Sequence, residues 1–148
     1  MYLTSVTSLK LNREQFNIID TMSYRAKALY NSSLYEINKH YETEAEYLNY
    51  RKTDLLMKSH KENKIYRSLP SALSQQTIKK LHKNFSSFFT LLSKKQSNDY
   101  DKNIDTPKYK KKDDRKELIF TKSKTSKHLF LKTITYILLF LKISIKEG

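Results

Sequence analysis

The sequence predicts a mainly α protein with flanking β-strands, an α+β class, on three observations. Glycine occurs once, as the last residue, and proline twice in 148 residues, so glycine turns and glycine phosphate loops are excluded. Apolar residues recur every three or four positions over residues 16–41 and again over residues 73–92, the period of an amphipathic helix. The two ends carry loose alternation or β-branched and aromatic residues, a composition that favours strand.

At the N-terminus, Leu3, Val6 and Leu9 alternate loosely and end in Ser8-Leu9-Lys10-Leu11, which reads as a strand before a helix. Asn12 is placed to cap that helix, with Gln15 three residues on in the capping-box position. The stripe Phe16, Ile19, Met22, Ala26, Tyr30, Leu34, Ile37, Tyr41 then predicts one helix of about eight turns with Tyr30 in the core. Residues 44–60 give a weaker helix through Ala45, Leu48, Leu55 and Leu56, basic toward its end. Leu69-Pro70-Ser71 marks the next boundary, because proline disfavours helix in the residue before it and is tolerated in a first turn. Beyond it Leu73, Thr77, Ile78, Leu81, Phe85, Phe88, Phe89 and Leu92 form the stripe of a third helix, with Lys79, Lys80, His82 and Lys83 largely off it. Residues 94–105 turn polar, residues 108–116 are a charge run, and residues 118–121 and 128–145 favour strand.

Charge narrows the partner class. Lys+Arg 29 against Asp+Glu 15 gives a net charge of +14, beyond what solubility requires. Residues 1–50 carry 5 basic and 6 acidic side chains, residues 51–100 carry 11 and 3, and residues 101–148 carry 13 and 6, so the cationic field belongs to the last two thirds. Codon bias explains why 24 of the 29 are lysine better than it explains the imbalance. A polyanion is the expected partner. The chain has no cysteine, which excludes thiolate chemistry and zinc knuckles and fits a reducing cytoplasm. The uncharged run of residues 133–141 is well short of the roughly twenty a spanning helix needs, so no membrane partner is expected.

Four pieces in one order then resemble a known family. Leu11-x-x-Glu14-Gln15 opens a long helix that contains Ala28-Leu29-Tyr30-Asn31-x-x-Leu34. Leu73-Ser74-Gln75-Gln76-x-Ile78-x-x-Leu81-x-x-x-Phe85-x-x-Phe88-Phe89 follows, and Pro107-Lys108-Tyr109-Lys110-Lys111-Lys112 leads to Phe120-Thr121. Over residues 1–126 the chain resembles the N-terminal part of TnpB proteins, the OrfB products of bacterial insertion sequences. The resemblance implies the nucleic-acid-holding part of a transposon-encoded, RNA-guided DNA endonuclease. It implies a helical recognition bundle (residues 12–103) inserted in a partial β-barrel wedge (residues 1–11 and 104–126), with guide RNA from the transposon end and double-stranded DNA as partners. Base pairing supplies most sequence specificity in such systems, and the protein reads a short flanking motif.

Carried over by position, Tyr47, Ser71, Gln75 and Thr121 match places where the family meets the DNA motif. Gln75 is either a base reader, since its amide can pair bidentately with adenine, or a solvated residue in a helix's first turns. Lys79, Lys80 and Lys83 are either phosphate contacts or a solvated helix face. Lys108, Lys110, Lys111, Lys112 and Arg115 are either phosphate contacts or a disordered charged loop, and Lys122 is an expected phosphate contact. Tyr109 either stacks on a base or packs on the wedge.

The departures carry equal weight. The family's nuclease needs three separated carboxylates and divalent metal in a domain downstream of everything matched, so no cofactor, metal site or catalytic residue is expected in this chain. Residues 127–148 leave the family's pattern and read as a degenerate or truncated β-rich tail. Two readings follow: a nuclease-less transposon protein that binds RNA and DNA without cutting, or an independent basic helical DNA-binding regulator.

Overall fold

A computed structural model describes residues 10–59 and 64–120. It contains α1 (Arg13–Glu44), α2 (Tyr50–Ser59), the single turn α3 (Lys64–Arg67) and α4 (Ser71–Gln96), followed by a non-helical strap over residues 97–120. The chain divides into two compact units, one of residues 1–21 with 123–148 and one of residues 22–122. Of the first, the described part is residues 10–21, which include the opening of α1.

Local chemistry sets the helix ends. Asn12 and Gln15 form the expected reciprocal capping box, the Gln15 amide donating to Asn12 Oδ1 at 2.8 Å and the Asn12 amide to Gln15 Oε1 at 3.1 Å. α1 stops where Ala45 turns left-handed at φ 54° and its amide reaches back to the Tyr41 carbonyl, a closure usually given to glycine. Asn49 caps α2 by accepting from the Lys52 amide at 3.0 Å, so the weak helix predicted from residue 44 begins six residues later. α4 starts after Pro70, as Leu69-Pro70 predicts, and ends in a Schellman closure: Asn98 at φ 60°, with the Asp99 amide on the Lys94 carbonyl and the Asn98 amide on that of Lys95.

The core is a seam of α1 against α4. Tyr30, Leu34 and Ile37 pack with Leu81 and Phe85, closed by Leu48 from the α1–α2 connection and flanked by Tyr47 and Leu56. α2 and α3 cover the first half of α4, and the buried Ser74 hydroxyl donates to the Tyr66 carbonyl at 2.8 Å to tie α3 to it. Asp54 gathers Tyr66 (2.9 Å) and Lys58 (2.6 Å), joining α2 to α3. The predicted stripes are buried in their middle stretches, whereas their outer members Phe16, Tyr41, Phe89 and Leu92 are exposed.

The α+β expectation is corrected: the described residues hold no strand and no part of a sheet or barrel. Leu118, Ile119 and Phe120 have strand-forming side chains, yet a strand exists only where a neighbouring backbone completes the ladder. Here the strap lies on a helix, and its backbone groups bond to α1 or to its own turn. Residues 1–9 of the first expected strand, Thr121, the strand expected over residues 128–145 and the β-rich tail lie outside the described residues.

Left-handed backbone costs a residue with a Cβ about 1–2 kcal/mol, partly offset by the greater unfolded-state freedom of glycine. Ala45→Gly is therefore expected to stabilise the chain by about 0.5–1 kcal/mol, read as a higher midpoint in chemical denaturation.

Candidate nucleic-acid interface

Two polar stripes on the helices organise the surface. On α1, Ser23, Lys27, Asn31 and Asn38 recur at four and seven residues, and at about 100° per residue their stripe lies roughly a sixth of a turn from the core-facing Tyr30, Leu34 and Ile37. The strap lies along this stripe in the opposite direction. Asn38 Nδ2 donates to the Tyr109 hydroxyl at 3.4 Å. Asn31 grips Lys110 at both backbone groups, Nδ2 donating to its carbonyl and Oδ1 accepting from its amide, each at 2.9 Å. Lys27 Nζ donates to the Lys112 carbonyl at 2.5 Å, and the Lys116 amide donates to the Ser23 carbonyl at 3.3 Å.

Lengths show why the strap must turn. From Asn31 to Ser23 the helix advances about 12 Å, whereas six fully extended residues from Lys110 to Lys116 span about 20 Å. The excess is taken up at residues 111–114, where the Asp114 amide donates to the Lys111 carbonyl at 3.2 Å and Asp114 Oδ2 accepts from the Lys111 amide at 2.8 Å. Asp113 and Asp114 thus belong to a turn beside the lysines.

Because the grip uses backbone, the side chains of Lys110, Lys111 and Lys112 stay exposed. Lys108 is also exposed but pairs with Asp105 at 2.7 Å. Arg115 lies over the Tyr24 ring at 5.4 Å and donates to the carbonyls of Asp113 and Asp114. Tyr109 is half exposed.

On α4, Ser71, Gln75, Lys79 and Lys83 stand four residues apart in one row, Gln75 half-buried and the others exposed. Lys79 lies 5.6 Å from the Tyr50 ring centre. Lys80, three residues before Lys83, pairs with Glu117 at 3.4 Å, so the outer side of α4 continues into the strap. Among the described residues, no carboxylate pairs with Lys79, Lys83, Lys110, Lys111 or Lys112. Thr121 and Lys122 lie outside the described residues.

Tyr47 is half-buried against the rings of Phe85 and Phe89, and its hydroxyl lies 2.5 Å from His82 Nδ1. His82 Nε2 lies 3.0 Å from the Thr53 hydroxyl, whose own proton goes to the Asn49 carbonyl at 2.9 Å. Nε2 must therefore donate and Nδ1 accept, which fixes the neutral tautomer and makes Tyr47 a donor. Burial pushes the Tyr47 phenol up to about 12 and the His82 imidazole down to about 4. Beside them an open groove of about 770 Å³ is lined by Tyr47, His82, Ser86, Phe89, Thr90 and Lys94.

Sequence reasoning missed Lys27, Asn31, Asn38 and Lys116. Lys27 and Lys116 are buried cations, 5% and 6% exposed, set over the rings of Tyr24 (4.2 Å) and Tyr30 (5.0 Å). Burial pushes Lys116 below its ordinary value against the opposing pull of Glu117. Burial alone would raise Glu117, but Lys116 and Lys80 together hold it below the usual carboxylate range. Only the four-residue spacing of Lys27 and Asn31, beside the core-facing Tyr30, could have flagged those two. Among the described residues no three His, Asp or Glu side chains converge on one point. No described helix is long and apolar enough to cross a membrane. No family model, curated protein or solved structure matches the chain.

Two outcomes are expected. Asn31→Leu removes both bonds to Lys110, worth about 1–2 kcal/mol together, so tryptic cleavage at residues 110–112 should accelerate roughly five- to thirtyfold with little change in the global unfolding midpoint. The unfolded chain protonates His82 near its ordinary value and the folded chain only near 4, so the unfolded state binds the extra proton between those values. Stability should be complete above about pH 6.5 and fall as pH drops toward 4, and His82→Gln should lose that part of the slope in a pH series of melts.

Proposed function

We propose that this chain holds nucleic acid on the band formed by the outer side of α4 and the strap, in the manner of the N-terminal part of TnpB/OrfB proteins. The observation that carries the reading is the backbone grip on the strap. Asn31 and Lys27 take the peptide groups of Lys110 and Lys112 and leave three consecutive lysine side chains to solvent, continuous through Lys80 and Glu117 with Lys79 and Lys83. Unpaired cations at such density suit a phosphate backbone. The family assignment rests on the four sequence pieces named above. It makes guide RNA and transposon-end DNA the ligands, Ser71, Gln75 and Thr121 the motif readers, and the lysines the holders. In this reading the chain binds and does not cut.

The second reading, an independent helical DNA-binding regulator, draws support from the helical seam and from exposed Ser71 and half-buried Gln75 standing in the first turns of α4. Sequencing the nucleic acid that co-purifies with the chain separates the two. Structured RNA copied from a transposon end supports the first, and duplex DNA with no RNA supports the second.

Both readings share an electrostatic expectation. With about six phosphate contacts, log affinity should fall against log salt with a slope near −5, and a slope near zero would refute phosphate binding by this face. Replacing Lys110, Lys111 and Lys112 with alanine should reduce the slope by about 3, whereas Lys80→Ala, whose ammonium already serves Glu117, should change it by less than one contact.

A further inference from the structure

Two exposed tyrosine rings flank the strap's lysines. Tyr35 stands on α1 four residues after Asn31 and three before Asn38, the residues that hold Lys110 and Tyr109. Side chains so spaced on a helix have Cβ atoms about 5–6 Å apart, so Tyr35 neighbours both anchors. At about 100° per residue it lies on the solvent side of the strap stripe, away from the core seam. Tyr35 is 54% and Tyr109 51% exposed.

The other rings near these cations are engaged. Tyr24 faces Lys27 at 4.2 Å and Arg115 at 5.4 Å, Tyr30 is buried under Lys116, and Tyr47 packs on Phe85 and Phe89. Tyr35 has Lys39 at 5.9 Å from its ring centre, and among the described residues neither Tyr35 nor Tyr109 contacts another aromatic ring.

We infer that this face selects single-stranded nucleic acid, with unpaired bases stacking on Tyr35 and Tyr109 while Lys110, Lys111 and Lys112 follow the phosphates. The inference rests on the nucleic-acid reading above and adds the strandedness of the ligand. Lysines alone cannot make that distinction, because both forms present phosphates. Aromatic faces can, because a duplex keeps its base faces stacked inside and a single strand exposes them.

The test titrates the full chain, by fluorescence anisotropy at several salt concentrations, against a labelled 15-nucleotide oligouridine and a labelled 20-base-pair DNA duplex. Tyr35→Ala and Tyr109→Ala should each weaken oligouridine binding about tenfold, with the salt slope kept and duplex affinity changed less than about twofold. Tyr35→Phe keeps the ring and should bind oligouridine like the parent. Circular dichroism melts, expected to be unchanged at two half-exposed positions, show that the variants are folded. If the parent binds both probes with a steep salt slope and the alanine variants lose nothing, or weaken both probes equally, the selection of single strands is wrong and the cationic face stands. If the parent binds neither probe with any salt dependence, the nucleic-acid reading falls and the selection with it.

Discussion

The seam of Tyr30, Leu34 and Ile37 against Leu81 and Phe85 is the contact from which everything else in this unit takes its position. A 32-residue helix is about 48 Å long, and the seam occupies only its middle. This short apolar contact fixes α1 and α4 to each other and leaves long polar flanks on both. One flank of α1, roughly a sixth of a turn from the seam, becomes the bed of the strap. The outer side of α4, facing away from the seam, carries Lys79 and Lys83. A broader apolar stripe would have buried the positions that now carry charge, so the small core and the cationic surface are two consequences of one pattern.

Tyr30 links the seam to the strap. Its ring is part of the apolar cluster, its hydroxyl accepts from Asn84 at 3.4 Å, and Lys116 lies over the ring. An ammonium so placed needs a counter-charge, which Glu117 supplies at 3.4 Å while also receiving Lys80 at the same distance. Sliding the strap by one residue would put a neighbouring side chain in that site and strand the cation. The buried lysine therefore sets register at one end of the docked segment, and Asn31 sets it at the other.

Much of the helical layout was legible in the sequence, and the reasons are local. Asn12 and Gln15 announce the start of α1, the three- and four-residue spacing announces its buried stripe, and Leu69-Pro70 announces the start of α4. The strap's docking was not legible. Asn31 recognises the peptide groups of Lys110, 79 residues away, and a contact to backbone leaves no pattern in the side chains it serves. The strand expected over residues 118–121 is absent from its described part, residues 118–120. β-branched and aromatic residues report a fit to a pleated surface, and a strand needs a neighbouring backbone to pair with. Tyr47 shows a third kind of gap. The weak helix expected over residues 44–60 would include it, whereas it stands before α2 with its hydroxyl committed to a neutral His82 braced by Thr53.

Net charge also needs this geometry before it says anything about binding. Lys27 and Lys116 are buried and hold the strap, while Lys52, Lys58, Lys80 and Lys108 each face a carboxylate within 4 Å. Their charge contributes little outward field, because each is either enclosed or compensated nearby. Lys110, Lys111 and Lys112 differ in kind, since the interactions that hold them in place use only their backbone. A segment docked in this way can carry any side chain at those positions without loss of docking. Three lysines there, mutually repulsive and unpaired by the described carboxylates, are not required by the backbone contacts that dock the segment.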